Sequence, residues 1–355
     1  MPQITSGMNV SQFLLYPFSL LYGAVMAVRN QLYDRQYFSA TQFSIPVISI
    51  GNLTVGGTGK TPHVEYLLRL LANKKLATLS RGYKRQTKGF LLADSSSSAA
   101  KLGDEPFQYY LDFPKVTVAV SEDRVHGIKQ LLQYKPDLDV IILDDAFQHR
   151  KVRPSLNILL SDYSRLFYQD YVLPAGRLRE FPRGAARADA VVVTKCPASL
   201  PKEKAEVIKK AIQQSGGKSL PVFFTNYLYD EPVACSAYTQ KATSILLVTA
   251  IAQHRPLIDY LQQQGYQILH HYQFPDHHAY TTKDLQKILS DWQRYAQDKP
   301  VSVFTTRKDA VKLIEPGLTA IWQTVPLFYI PVKVNFVEDQ SGFNNLILNH
   351  VAGKR

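Results

Sequence analysis

A chain of 355 residues with 45% hydrophobic content can bury a sizeable core and fits two domains, which excludes a disordered polymer. Its two cysteines, Cys196 and Cys235, lie far apart without metal-ligand spacing, which argues against a disulfide framework or zinc site and points to a reducing compartment. The formal charge of +12 calls for an acidic partner: nucleic acid, an anionic membrane surface or a phosphorylated substrate.

The N-terminus favours the membrane among these. Residues 1–28 contain no Asp, Glu, Lys or Arg, and Phe13 to Val28 is an aromatic and aliphatic run followed by Arg29 and Arg35. That run is shorter than the ~20 residues a spanning helix needs, and Pro17 is expected to kink it, so residues 1–35 read as an embedded or interfacial anchor. No basic region precedes it, which argues against a secretory signal. The alternative is an apolar helix packed on the domain core. A nucleic-acid partner rests on net charge alone and is not expected, and no segment calls for an obligate protein partner.

Residues 46–68, PVISIGNLTVGGTGKTPHVEYLL, carry a buried strand, a glycine-rich turn and a helix start in the order a phosphate-binding loop requires. Val47 to Ile50 suits a central strand. In the turn, Thr54, Val55, Gly56, Gly57, Thr58 and Gly59 can wrap backbone amides around phosphate oxygens. Lys60 is placed to reach the β- and γ-phosphates and Thr61 to ligate Mg2+. The general GxxxxGK[ST] pattern has Gly where this chain has Thr54.

Short β-rich runs follow at 76–80, 116–120, 139–143, 156–160 and 190–194, several separated by helix-length stretches. This rhythm predicts a mostly parallel P-loop NTPase-like sheet covered by helices, over residues 36–225. A smaller α/β domain is predicted over 226–335. Its strands fall at 245–249, 267–274 and 302–306, with helices near 256–264 and 283–297. Two extended stretches, 221–233 and 326–337, are candidates for a two-stranded linker that returns a C-terminal helix, within 336–355, to the first domain.

The run DVIILDDAFQHR, residues 139–150, ends a hydrophobic strand in Asp144 and Asp145, the arrangement by which P-loop enzymes hold Mg2+ or its waters. In GDEP, residues 103–106, Asp104 and Glu105 precede a predicted helix with Pro106 at its first position, where Asp104 could simply cap. The loop FPDHHAY holds Asp276, His277 and His278, weak evidence for a metal and more typical of structural histidines. Arg177, Arg179, Arg183 and Arg187 lie in one basic loop with Glu180, suited to phosphate clamping and to joining a metal shell. Arg81 directly follows a strand, where ligands of open α/β sheets bind. The guanine-reading pattern [NT]KxD appears only as Thr194-Lys195-Cys196-Pro197, with Pro in place of the Asp, so ATP is expected rather than GTP.

Together these segments resemble the tetraacyldisaccharide 4'-kinase family, the lipid A 4'-kinases. The resemblance runs in order through GNLTVGGTGKTP, SRGYKR, GDEP, DDAFQHR, LPAGRLRE, FPDHHAY and TTRKDAVK, and Thr54 agrees with it. Ala146 departs from the family's more common Gly, which matters if that position requires positive φ. The resemblance implies a bacterial inner-membrane enzyme on the cytoplasmic face. It would transfer the γ-phosphate of ATP to the 4'-hydroxyl of an anionic glycolipid, a tetraacyldisaccharide 1-phosphate. It implies two α/β/α domains with the active site in the cleft between them. Asp104 and His277 would then be a catalytic pair activating the hydroxyl, meeting only on domain closure. Lys60 would stabilise the transferring phosphoryl group, and Thr61, Asp145 and Glu180 would hold Mg2+ directly or through water. The alternative function is a membrane-docked P-loop ATPase or GTPase that acts on a partner protein.

Overall fold

The computed structural model describes residues 9–353 apart from 239, 315–317, 319–321 and 323. The chain forms two compact units. One comprises Met1–Arg81, Ser121–Asn226 and Val334–Arg355; the other comprises Gly82–Val120 and Tyr227–Lys333.

In the first unit, strands run in the spatial order Val222–Tyr229, Ala190–Thr194, Leu156–Asp162, Val47–Asn52, Val140–Asp144 and Leu76–Ser80. All pair in parallel. Every residue of the strand Val47–Asn52 is buried, as is every residue of the strands on either side of it. Burial on both faces is why these strands read as unbroken apolar runs rather than alternating ones. Ile50 pairs with Asp144 and Gly51 with Leu159, so the carboxyl ends of neighbouring strands open at one edge, where such sheets bind ligands. Gly51 is needed for this approach, since a Cβ there would lie 2.7 Å from Phe147. The C-terminal helix Gln340–Ala352 buries Phe343, Ile347 and Val351 in this unit, and Tyr66 donates to Asn344 at 2.7 Å.

The N-terminal helix Val10–Asp34 also belongs to the first unit and runs through Pro17. Its only buried residues are Ser19 and Gly23, four apart and therefore on one face. Gly23 lies against the Phe181 ring with no room for a side chain, and the Ala175 amide donates to Ser19 Oγ at 2.8 Å. Much of the rest of its surface is apolar and exposed, including Phe13, Leu14, Phe18, Leu21 and Val25, so this is not a core helix. At 25 residues it is long and apolar enough to cross a membrane by length and composition.

The second unit has a sheet ordered Gln267–Gln273, Ser244–Thr249, Val301–Thr306, Leu327–Ile330 and Val233–Ala234. The first four strands are parallel and the last is antiparallel. Helices Arg255–Gln263 and Thr282–Ala296 bury Leu257, Leu261, Leu285 and Ile288 in this unit. The stretch 221–233 divides into Val222–Tyr229 and Val233–Ala234, and 326–337 into Leu327–Ile330 and Val332–Glu338. The longer strands of each stretch are neighbours, with Asn335 donating to Asn226 at 2.9 Å.

One boundary differs from the expected continuous domain over 36–225: Gly82–Val120 belongs to the second unit. The cause is apolar. Leu102 and Phe107, beside and within the helix Asp104–Asp112, are buried in one cluster with Val311 of the helix Arg307–Leu313. Arg307 adds an ion pair to Asp112, its Nε 3.0 Å from the carboxylate.

Candidate active site

The loop after strand Val47–Asn52 is held from both sides by backbone. Val55 N donates to Arg177 O at 2.8 Å and Arg179 N to Leu53 O at 2.7 Å, while Thr54 is buried in a bridge to Leu178. Asn52 Nδ2 donates to Thr58 Oγ1 at 2.8 Å, and Thr194 Oγ1 donates to Thr58 O at 2.9 Å. Lys195 Nζ bonds the Gly57 carbonyl and Asp162 Oδ2, the latter at 2.7 Å. Thr194 and Lys195 therefore brace the loop, a role their failed match to a base-reading motif did not reveal. Gly59, at φ 85°, is the residue before the helix Lys60–Leu70 and gives it no side-chain cap. The first amides of that helix are thus directed at whatever the loop encloses, as anion sites at helix starts require.

His63 fixes this helix start. It is buried, with Nδ1 2.8 Å from Gly59 O and Nε2 3.1 Å from Thr225 Oγ1; a carbonyl can only accept, so Nδ1 carries the proton. Burial lowers its pKa to about 4, against a smaller opposing effect of the Gly59 bond. The folded value lies below the unfolded value of about 6.5, so this contribution is complete above that pH and lost as pH falls toward 4. About 3 kcal/mol is at stake, from ~1.4 kcal/mol per pH unit. In urea unfolding from pH 7.5 to 4.5, just short of the folded pKa, the wild type is expected to lose about 2.5 kcal/mol more stability than His63→Gln; equal losses would refute the assignment.

Asp144 closes strand Val140–Asp144 and is buried; Asp145 follows in the left-handed region at φ 50°. Aspartate tolerates that region better than most residues, and strain of this kind gathers at functional sites. The positive φ falls on Asp145 and not on Ala146, so the missing glycine costs no turn geometry here. Asp145 Oδ1 lies 3.6 Å from Lys60 Nζ and 3.1 Å from Arg179 Nη1. Burial would raise its pKa, but Lys60 and Arg179 outweigh burial and hold the carboxyl below the ordinary range.

Glu180, expected to hold Mg2+ directly or through water, is buried among donors. Its Oε1 accepts from Arg187 at 2.7 Å and Gln148 at 3.1 Å, and its Oε2 from Asn30 at 2.6 Å. Gln148 Oε1 in turn accepts from Arg179 at 3.1 Å, so Glu180 reaches Asp145 through two intermediaries. Asn30 ties the N-terminal helix into the same network, and Tyr22 adds a bond to Arg179 O at 3.2 Å. Of the basic loop, Arg179 and Arg187 are thus engaged, whereas Arg177 and Arg183 are exposed, as is Arg81 after the strand Leu76–Ser80.

Sequence reasoning missed Arg124 and His149. Both line a cavity of about 310 Å3 together with Arg29, Arg150 and Lys151 and the acidic Glu122 and Asp123. Arg124 is 2% exposed, and burial lowers its pKa while Asp144 and Asp145 oppose that shift. Burial, reinforced by the Arg124 charge, lowers His149 to about 4, leaving its imidazole neutral at physiological pH.

The second unit holds its own cluster. Asp104, Glu105, His277, Lys308 and Lys312 all belong to it. Asp104 is the first residue of its helix and makes no capping bond, and Pro106 is the third residue rather than the first. Asp104 Oδ2 lies 3.2 Å from His277 Nδ1, so the pair needs no domain closure to meet. Burial would raise the Asp104 pKa, but the His277 bond and the charges of Lys312 and Lys308 hold it below the ordinary carboxylate range. His277, like Asp145, sits at positive φ, 61°. His278 instead faces Asp284 at 3.0 Å and stacks on Phe274, a structural role.

Among the described residues no cluster of three or more His, Cys, Asp or Glu could cage a metal. The oxygen donors Thr61 and Asp145 fit Mg2+, which binds through one or two protein groups together with substrate phosphates.

A family model for LpxK, tetraacyldisaccharide-1-P 4'-kinase, matches residues 11–352. A tetraacyldisaccharide 4'-kinase of Flavobacterium johnsoniae is 44% identical over 97% of this chain and 98% of its own length. One of Bacteroides thetaiotaomicron is 42% identical over 95% of this chain and 92% of its own. The fold is similar to a solved structure of LpxK from Aquifex aeolicus in complex with ATP, at TM-score 0.73 and 29% identity, covering 96% of this chain and 100% of that one. Agreement of this extent, across both units, means that the chain belongs to the tetraacyldisaccharide 4'-kinase family.

Proposed function

We propose that this protein transfers the γ-phosphate of ATP to the 4'-hydroxyl of a tetraacyldisaccharide 1-phosphate. Beside family membership, the observation that carries the reading is Lys60, the loop lysine, 3.6 Å from Asp145 at the end of a neighbouring parallel strand. This is the charge arrangement phosphoryl transfer needs, because catalysis there is mainly positioning and electrostatic stabilisation. The loop amides from Thr54 to Gly59 hold the phosphates, and Lys60 offsets charge on the transferring group. Thr61 and Asp145 hold Mg2+, which supplies charge neutralisation when bound; Asp144 supports Asp145 from the strand end, and Glu180 acts through Gln148 and Arg179. Asp104 and His277 activate the acceptor hydroxyl. Arg81 and Arg177, with Arg29, Arg150 and Lys151 at the cavity, offer charge to an anionic headgroup.

The helix Val10–Asp34 embeds its exposed apolar surface in the cytoplasmic leaflet of the bacterial inner membrane, where the acceptor lipid resides. Labelled ATP incubated with the protein and the disaccharide lipid in detergent micelles is expected to give a phosphorylated lipid. ATP hydrolysis at one rate with and without lipid, and no lipid product, would refute the proposal. Replacing Phe13, Leu14, Phe18 and Leu21 together by serine is expected to abolish co-sedimentation with anionic phospholipid vesicles while ATP binding persists. Unchanged sedimentation would refute the anchor.

A further inference from the structure

The segment TTRKDAVK places two lysines, Lys308 and Lys312, one helical turn apart in the second unit, immediately after the strand Val301–Thr306. Lys312 is 6% exposed and lies 3.1 Å from Asp309 and 3.8 Å from Asp104. Lys308 Nζ stands 3.1 Å from His277 Nε2, on the far side of the imidazole from Asp104. An ammonium has donors only, so Nε2 must accept; the ring proton then belongs to Nδ1, which donates to Asp104.

We propose that Lys308 is a positioning residue that holds His277 in its Nδ1–H tautomer and covers Nε2 until the acceptor hydroxyl displaces it. The proposal rests on the kinase reading of the Asp104 and His277 pair. The groups facing His277 are Asp104, Glu105, Asp276, Lys308 and, in a T-shaped contact, the Tyr83 ring. Lys308 is itself held by Asp276 at 3.1 Å and Glu105 at 3.4 Å, giving it somewhere to withdraw to. Burial works against its ammonium, but those carboxylates raise its pKa and keep it a donor.

The tautomer decides the chemistry. With Nδ1–H bound to Asp104, the free lone pair is on Nε2, and the acceptor O–H proton passes there. The acceptor oxygen then bonds to the γ-phosphorus, the bond to the bridging oxygen breaks, ADP leaves with its electron pair, and the imidazolium returns its proton to solvent. Without Lys308, Nε2 would face Asp276 at 3.8 Å and Glu105 at 4.0 Å, both acceptors, and the opposite tautomer would gain population.

Histidine nitrogens labelled with 15N in the full-length protein report the tautomer by long-range proton–nitrogen correlation, with His277→Gln assigning the signal. The wild type is expected to show Nδ1–H, Lys308→Met a mixture, and Lys308→Arg the wild-type pattern. Lys308→Met should also lower kcat at least about tenfold with the KM for ATP unchanged, and Lys308→Arg should recover most of it. A proton on Nε2 in the wild type, or an unchanged tautomer or kcat in Lys308→Met, would overturn the proposal. Should Lys308→Met not fold, Lys308→Ala takes its place with the same expected results. The spectrum requires no turnover, so it judges the contact even if the wild type transfers no phosphate, an outcome that would refute the kinase reading instead.

Discussion

Alanine at Asp104 or at His277 is expected to lower kcat by about 100-fold or more, the usual loss when a group that moves a proton in the transition state is removed. The two are hydrogen-bonded at 3.2 Å and act as one unit, so the double variant should be little slower than the worse single one. Nucleotide affinity should stay within about twofold, because both residues lie in the unit that lacks the phosphate loop. Asp104→Asn separates charge from shape: its amide oxygen can still accept from Nδ1, but it cannot stabilise an imidazolium. Steady-state kinetics with both substrates, together with an equilibrium nucleotide titration, test all of this. Losses that multiply in the double variant, or a His277→Ala effect confined to the KM for the lipid, would make His277 a binding residue.

Most strands were legible because burial leaves a plain mark on sequence. Leu76–Ser80 and Ala190–Thr194 match the predicted runs residue for residue, and both are wholly buried. The phosphate loop was legible for a different reason, since its glycines and Lys-Thr carry their chemistry within a few residues. The membership of Gly82–Val120 was not. Apolar residues such as Leu102 and Phe107 announce that they will be buried, but not that Val311, some two hundred positions later, will bury them. The same limit hid Lys308 and Lys312. Lysines on a short helix read as a solvated face, and only their place after a strand end of a parallel sheet, where ligands bind, could have marked them. The hydrogen bonds of Glu180 were not legible, because Asn30, Gln148 and Arg187, which engage its carboxylate, come from three separate segments.

Lys60→Ala is expected to leave a folded protein whose kcat is lower by about 100- to 1,000-fold, the loss seen when a preorganised charge-stabilising donor is deleted. Folding should survive because Asp145 keeps Arg179 at 3.1 Å, so removing Lys60 does not strand a buried carboxylate. Thr61→Ala tests a separate function of the same turn. If its hydroxyl holds Mg2+, the variant should need more Mg2+ for half-maximal rate and regain part of its activity as Mg2+ is raised, which Lys60→Ala should not. A change from Lys60 to arginine should rescue little: the planar guanidinium is longer and cannot replace a compact ammonium beside Asp145. Measured rates at saturating ATP over a Mg2+ series distinguish the two positions. Near-normal turnover in Lys60→Ala would remove the loop from the chemistry, whereas loss of both variants to aggregation would show that the turn is needed for the fold of its own unit. Thermal unfolding separates that case, since a catalytic role predicts midpoints close to the wild type for both.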